Sequence, residues 1–178
     1  MGLREVKIKL KELEKDEIIK IVGELYQKNK PVKEYLDFLV EPNEKALHKK
    51  YREKVFEAFY PKRGMRIKLK EGQKAITDFK KLNPSPELLA DLMFFYVEMG
   101  IKTTNEFGDM GENFYLGMES FYETALIFLN KNDLLEKFLE RSRKLTNKVH
   151  DDSYGFKDAL LETYYQYHVD FSDDEEDE

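Results

Sequence analysis

Apolar residues recur every three or four positions along nearly the whole chain, and this spacing favours helices packed on helices. Leu3, Val6, Leu10 and Leu13 form the first such stripe, which corresponds to one face of a helix. The segment Val6 to Leu10 also alternates between apolar and polar residues, so a strand is the alternative there. Asn-Gly turns between alternating runs, the usual sign of a β-hairpin, are missing. The sequence therefore predicts an all-α fold.

Proline and capping residues divide this pattern into about nine helices, arranged as an antiparallel bundle or a short superhelical array. The sixth, from Pro86 to about Phe107, is apolar nearly all round, which is typical of a central helix. The third is expected to face inward through its apolar stripe, Val32, Tyr35, Leu36 and Leu39. Predicted N-caps, by residue type, are Asp16, Ser85 and Asp133.

With 178 residues, the chain is long enough for one helical domain, which we predict over residues 1–169. Residues 170–178 include seven acids and are predicted to form a disordered acidic tail. Charge is uneven: residues 1–82 carry 22 Lys and Arg against 14 Asp and Glu, and residues 83–178 carry 8 against 22. The basic half either attracts a polyanion or pairs with the acidic half within the fold.

The connection from Pro61 to Lys70 is the most basic segment. Five cations fall within these ten residues: Lys62, Arg63, Arg66, Lys68 and Lys70. A basic loop that leads into a helix N-terminus suits phosphate groups, although the chain has no Gly-rich phosphate-binding motif. A solvated loop that pairs with nearby carboxylates is the alternative.

Carboxylates interrupt the two most apolar helices. Asp91 and Glu98 share a face of the sixth helix, and Glu119 and Glu123 share a face of the seventh. They are candidates for a polar pocket, or for ion pairs with Lys102 and other cations across helices. Paired metals in helical bundles need Glu-x-x-His steps, which this chain lacks, so we predict no metal site and no cofactor.

Aromatic residues are abundant, and three tyrosines crowd the last helix at Tyr164, Tyr165 and Tyr167. Three such neighbouring positions cannot all face a core, so some are expected at the surface. Tyrosine is favoured in protein interfaces, which makes these residues candidates for a partner surface. A packed terminal helix is the alternative.

Several classes of protein are disfavoured. The chain has no Cys, which excludes disulfides and Cys-based metal sites. Neither a signal peptide nor a membrane span is expected, and a G-x-S-x-G nucleophile motif is missing. We therefore expect a cytoplasmic protein, not bound to a membrane, without positive indications of catalysis.

Three segments together resemble a known family: Tyr60–Gly64, Pro84–Met93 and Tyr96–Gly100. They are similar to a family of short, uncharacterised bacterial proteins, and the likeness extends over most of the chain except the acidic tail. The resemblance implies a bacterial, cytoplasmic, helical protein and assigns no catalytic residue.

Two functional hypotheses follow. The first is a non-catalytic helical interaction or scaffold module that binds another protein or a peptide. The alternative is binding of nucleic acid or a phosphate ligand through the basic connector. A third, an enzyme with a carboxylate pocket at Asp91, Glu98, Glu119 and Glu123, has the least support. The sequence leaves the oligomeric state open.

Overall fold

The computed structural model describes residues 2–64, 66–150 and 155–168. These residues form nine helices and no strands, which confirms the predicted all-α fold. The helices are α1 (Leu3–Lys11), α2 (Lys15–Lys28), α3 (Lys30–Val40), α4 (Glu44–Phe59), α5 (Leu69–Lys81), α6 (Pro86–Phe107), α7 (Glu112–Lys131), α8 (Leu135–Thr146) and α9 (Phe156–His168). The predicted acidic tail, residues 170–178, lies outside the described residues.

The predicted N-caps are wrong at two of the three positions. α2 begins after Glu14 and α8 after Leu134, so neither Asp16 nor Asp133 is a cap. Ser85 is the N-cap residue of α6, as predicted, but its side chain makes no capping hydrogen bond to that helix. Its hydroxyl instead donates to a carboxylate on α4, which a sequence pattern does not reveal.

Contacts divide the chain into two compact units between Asn43 and Glu44. In the N-terminal unit, α2 packs against α3, and Tyr26 Oη donates to Asp37 Oδ1 at 2.7 Å. The expected inward stripe of α3 is wrong, since none of the described residues of the three helices is buried. The prediction of one domain over residues 1–169 stays a prediction.

In the C-terminal unit, α6 is the central helix. It contacts α4, α5 and α7, while α9 packs on both α7 and α8. Leu92, Phe94, Tyr96 and Val97 on α6 have no exposed surface, as expected for a helix that is apolar nearly all round. Pro86 is in the first turn of α6. A proline there favours the start of a helix, because N–H groups in the first turn have no partner within the helix and proline has no N–H.

Two glycines allow close packing around α6. Gly72 of α5 lies against α6, and Gly100 of α6 lies against α7. A Cβ on Gly72 of α5 would lie 2.8 Å from the ring of Tyr96, and one on Gly100 of α6 would lie 2.2 Å from Met118 Sδ. Both distances are too short for real Cβ contacts. The α5–α6 and α6–α7 spacings therefore depend on these two residues.

Within the described ranges, no helix is both long and apolar enough to cross a membrane.

Candidate functional site

Asp91 of α6 lies at the centre of a charged cluster that joins three helices. Its Oδ1 accepts a hydrogen bond from Arg141 Nη1 of α8, and its Oδ2 lies 2.8 Å from Arg52 Nη1 of α4. His48 Nε2, also on α4, is 2.8 Å from the same Oδ2. Glu98 accepts a hydrogen bond from Arg141 Nε at 2.9 Å. The cluster therefore pairs two acids of α6 with cations from α4 and α8.

The electrostatics of the cluster favour a charged Asp91. Burial would by itself raise the pKa of this carboxyl, but the contact with His48 and the charges of Arg141 and Arg52 together lower the pKa well below its ordinary value. Burial likewise opposes the charge of Arg141, and Glu98 and Asp91 outweigh it, so the pKa of Arg141 is raised. The groups neutralise one another, which is the arrangement of a structural ion cluster.

The four carboxylates predicted to share a polar pocket are only partly brought together. Asp91 and Glu98 are joined through Arg141, whereas Lys102 pairs with Glu106 on its own helix. Glu119 on α7 is half-buried, and burial raises its pKa, while Glu123 is exposed. Of the two expectations, a polar pocket or ion pairs across helices, Asp91 and Glu98 follow the second.

The basic connector borders a groove of about 680 Å³, here called the α4–α5 groove. Ala58, Pro61 and Ala75 form its apolar part. Its cations are Lys54, Lys62, Arg63, Lys68 and Lys74, and its carboxylates are Glu57, Glu71 and Asp78. Of the five cations predicted from the connector, Lys62, Arg63 and Lys68 meet here. Arg66 and Lys70 are exposed and do not line the groove.

The carboxylates of the α4–α5 groove are already paired. Glu57 binds Lys62, Glu71 binds Lys68 at 3.1 Å, and Asp78 binds Lys81 at 2.9 Å. Among the described residues, no carboxylate lies within ion-pair distance of Arg63 or Lys74. The groove therefore keeps two cations whose charge is available to a ligand.

Beside this groove lies a second cavity of about 580 Å³, here called the aromatic pocket. Its lining residues come from α4, the connector and α6: His48, Lys49, Arg52, Glu53, Phe56, Glu57, Tyr60, Lys62 and Phe95. Phe56 and Tyr60 stack with ring centroids 5.1 Å apart, and Arg52 lies 3.7 Å above the ring of Phe95. The pocket thus combines aromatic rings with cations.

The three tyrosines of α9 are divided between surface and interior. Tyr165 is 56% exposed, while Tyr164 and Tyr167 are half-buried. The ring of Tyr164 packs against Tyr165 and against the buried His168, at 5.4 and 4.7 Å between centroids. Their role as a partner surface stays a prediction.

Sequence reasoning missed the contribution of α4 and α5 to these cavities. Lys54, Phe56 and Lys74 lie outside the connector, and only the packing of α4 on α5 brings them to it. The distribution of charge could have indicated this contribution. Residues 1–43 carry nine cations and nine acids, whereas residues 44–82 carry 13 cations and five acids. The entire positive excess of the basic half therefore lies in α4, α5 and the segment between them. In the described part of the chain, no group of three or more His, Asp or Glu could hold a metal ion.

The fold and these cavities define a small all-α protein with a half-buried ion cluster, an aromatic pocket beside it and a basic groove. Residues 1–167 match a family described as "Family of unknown function (DUF6155)", and the chain belongs to this family. The match spans both compact units and confirms the predicted membership in a family without an assigned activity. No curated protein and no solved structure matches the chain significantly.

Proposed function

We propose that the protein is a non-catalytic helical module that binds another protein chain, and that its N-terminal unit is the interface. The observation that carries this proposal is the absence of any buried residue among the described residues 2–43. The apolar stripes of α1, α2 and α3 are regular, yet Leu3 is 70% exposed, Leu39 61% and Val40 84%. Monomeric proteins rarely expose so many neighbouring apolar side chains.

The size of this unit supports the same conclusion. A segment of about 40 residues rarely folds without disulfides, metals or oligomerisation, and this chain has no Cys. The α2–α3 pair is joined by exposed polar contacts, among them the hydrogen bond from Tyr26 Oη to Asp37 Oδ1. A single hydrogen bond of this kind contributes only about 0.5–1.5 kcal/mol. An apolar surface from another chain would supply the missing burial.

A second copy of this chain is the partner that the charges favour. Residues 1–43 carry nine cations and nine acids, so two such units do not repel each other and neither selects a strongly charged partner. Most homo-oligomers are two-fold symmetric dimers in which the same patch serves both chains. The stripe of Ile18, Ile21, Val22 and Leu25 on one face of α2 provides such a patch, since the last three are exposed.

The test is the molar mass of the full chain in solution as a function of concentration, by sedimentation or light scattering. We expect a dimer that dissociates on dilution, and Leu25→Glu should raise its dissociation constant by at least tenfold because a charge would enter the apolar patch. Gln27→Glu is the matched control: it adds the same charge two positions further along α2, on the opposite face, and should leave the dimer intact.

A wild-type chain that stays monomeric at all accessible concentrations would overturn self-association. Equal weakening by the two substitutions would also overturn it, because the effect would then come from charge and not from the apolar face. Circular dichroism of each variant verifies that the helices persist.

A further inference from the structure

We infer that the α4–α5 groove and the aromatic pocket form one binding site for single-stranded nucleic acid, in which phosphates contact the cations of the groove and a base stacks on Phe56. This site lies in the C-terminal unit and does not depend on the interface proposed for the N-terminal unit.

The two cavities adjoin each other. Glu57 and Lys62 line both of them, and these two residues are paired with each other. Volumes of about 680 and 580 Å³ lie within the usual range for small-molecule sites of about 300–1,000 Å³. A chain of nucleotides can therefore lie across Lys62 with its phosphates on one side and a base on the other.

The charge of the groove suits phosphates because its lining carries five cations against three carboxylates. Arg52 forms an ion pair with Asp91 of the second half, and the imidazole of His48 contacts the same carboxylate. The pairs of Lys62, Lys68 and Lys81 are made instead with acids of α4 and α5. Arg63 and Lys74 remain available, so contact with phosphates does not require breaking an ion pair at these two positions.

The aromatic pocket leaves one ring open for stacking. The face of Phe95 is covered by Arg52, and Tyr60 is held by its hydrogen bond to Glu106 Oε2 at 2.7 Å. Phe56 lies nearly parallel to Tyr60, with 16° between the ring planes, and is 41% exposed. A base placed on Phe56 would extend an existing stack, and stacking on aromatic side chains is how proteins bind single strands without reading their sequence.

An acidic peptide would also satisfy the cations, but it would make no use of an exposed aromatic ring beside them. Inorganic phosphate and free nucleotides share part of the same chemistry. The neighbouring ring and cations together favour an oligonucleotide, which can occupy both cavities at once.

The experiment is a fluorescence-anisotropy titration of the full-length chain with a labelled oligouridylate of about ten nucleotides, within the range of known single-strand site sizes. We expect binding that weakens steeply between about 50 and 200 mM salt. Lys74→Ala should lower the slope of log K against log salt by about 0.7, the value for one single-strand phosphate contact. Phe56→Leu should weaken binding about 5- to 150-fold at constant salt, because stacking of one base contributes about 1–3 kcal/mol.

Two matched variants separate these effects from general ones. Lys131→Ala removes an exposed lysine at the end of α7 and should leave the slope unchanged, whereas Phe56→Tyr retains a ring and should restore affinity. Poly-glutamate, inorganic phosphate and AMP serve as competitors, and each should displace the oligonucleotide poorly. Absence of oligonucleotide binding at low salt overturns the inference. Equal displacement by poly-glutamate, or binding that is indifferent to Phe56→Leu, overturns it in favour of an acidic peptide or a simple anion.

Discussion

The carboxylate of Glu44 binds Ser85 with both of its oxygens. Oε1 accepts from the backbone nitrogen of Ser85 at 2.8 Å, and Oε2 accepts from its hydroxyl at 3.0 Å. Glu44 is the first residue of α4, and Ser85 immediately precedes α6. A single side chain thus ties the start of one helix to the start of the central helix.

Glu44→Ala is expected to lower the free energy of unfolding by about 1–3 kcal/mol, because it leaves a partly buried backbone N–H without its acceptor. Ser85→Ala removes only the hydroxyl bond and should cost about 0.5–1.5 kcal/mol. Urea denaturation measures both. Glu87→Ala is the matched control, because Glu87 lies in the first turn of α6 and its ion-pair partner Lys137 is exposed. This variant should lose less than about 1 kcal/mol of unfolding free energy. If the double variant loses the sum of the stability losses of the two single variants, Glu44 and Ser85 do not share an interaction.

Asp91 makes the stability of the protein dependent on pH, with a loss of stability at low pH. The folded state holds the pKa of Asp91 below its ordinary value, so this group stabilises the fold at neutral pH, and its contribution is lost as the pH falls below the unfolded value of about 4. Asp91→Asn should therefore show a smaller loss of stability between about pH 6 and pH 3 than the wild type. Chemical denaturation at each pH measures this, and an unchanged pH slope would contradict the role of the cluster.

Gly100→Ala should destabilise the protein by about 1–3 kcal/mol, because the added methyl group overlaps Met118 in a filled interior. Gly117→Ala on α7 is the matched control. A Cβ at position 117 meets nothing within 4 Å, and alanine is the better helix former by about 1 kcal/mol, so this variant should melt at a higher temperature. Thermal melts by circular dichroism compare the two. A Gly100→Ala variant as stable as Gly117→Ala would show that α6 and α7 are spaced more loosely.

Leu92→Asp should abolish cooperative unfolding, because Leu92 has no exposed surface and an unpaired buried charge costs several kcal/mol. Phe121→Asp on α7 is expected to be milder, since Phe121 is half-buried, whereas its helix neighbours Met118 and Tyr122 have no exposed surface. Calorimetry distinguishes the two outcomes. A Leu92→Asp variant that melts like the wild type would contradict the central position of α6.

Local patterns in the sequence were sufficient for most of the helices. The sixth helix was predicted from Pro86 to about Phe107 and is found there, because its proline start and apolar run are visible in neighbouring residues. Contacts between residues far apart in the sequence were not predictable. Ser85 binds Glu44 across 41 positions and Arg141 binds Asp91 across 50, and no spacing rule connects residues so far apart.

The candidate site also depends on contacts between distant residues, which the sequence alone did not predict. The cations of the connector were visible as a run, but Lys74 and Phe56 join it only because α4 packs on α5. The N-terminal stripes were predicted correctly as helical, and that of α3 was predicted wrongly to face inward, since periodicity identifies an apolar face without identifying what covers it.

The segregation of charge gives the described helices of the C-terminal unit an electric dipole. α4, α5 and their connector carry 13 cations against 5 acids, whereas residues 83–150 and 155–168 carry 8 against 13, and the two groups of helices meet at α6. In dilute salt this dipole would favour orientations that present α4 and α5 to an anionic surface, which would accelerate the encounter. At about 0.1 M salt the field fades within roughly 10 Å, so this orientation would be set only in the last moments of approach.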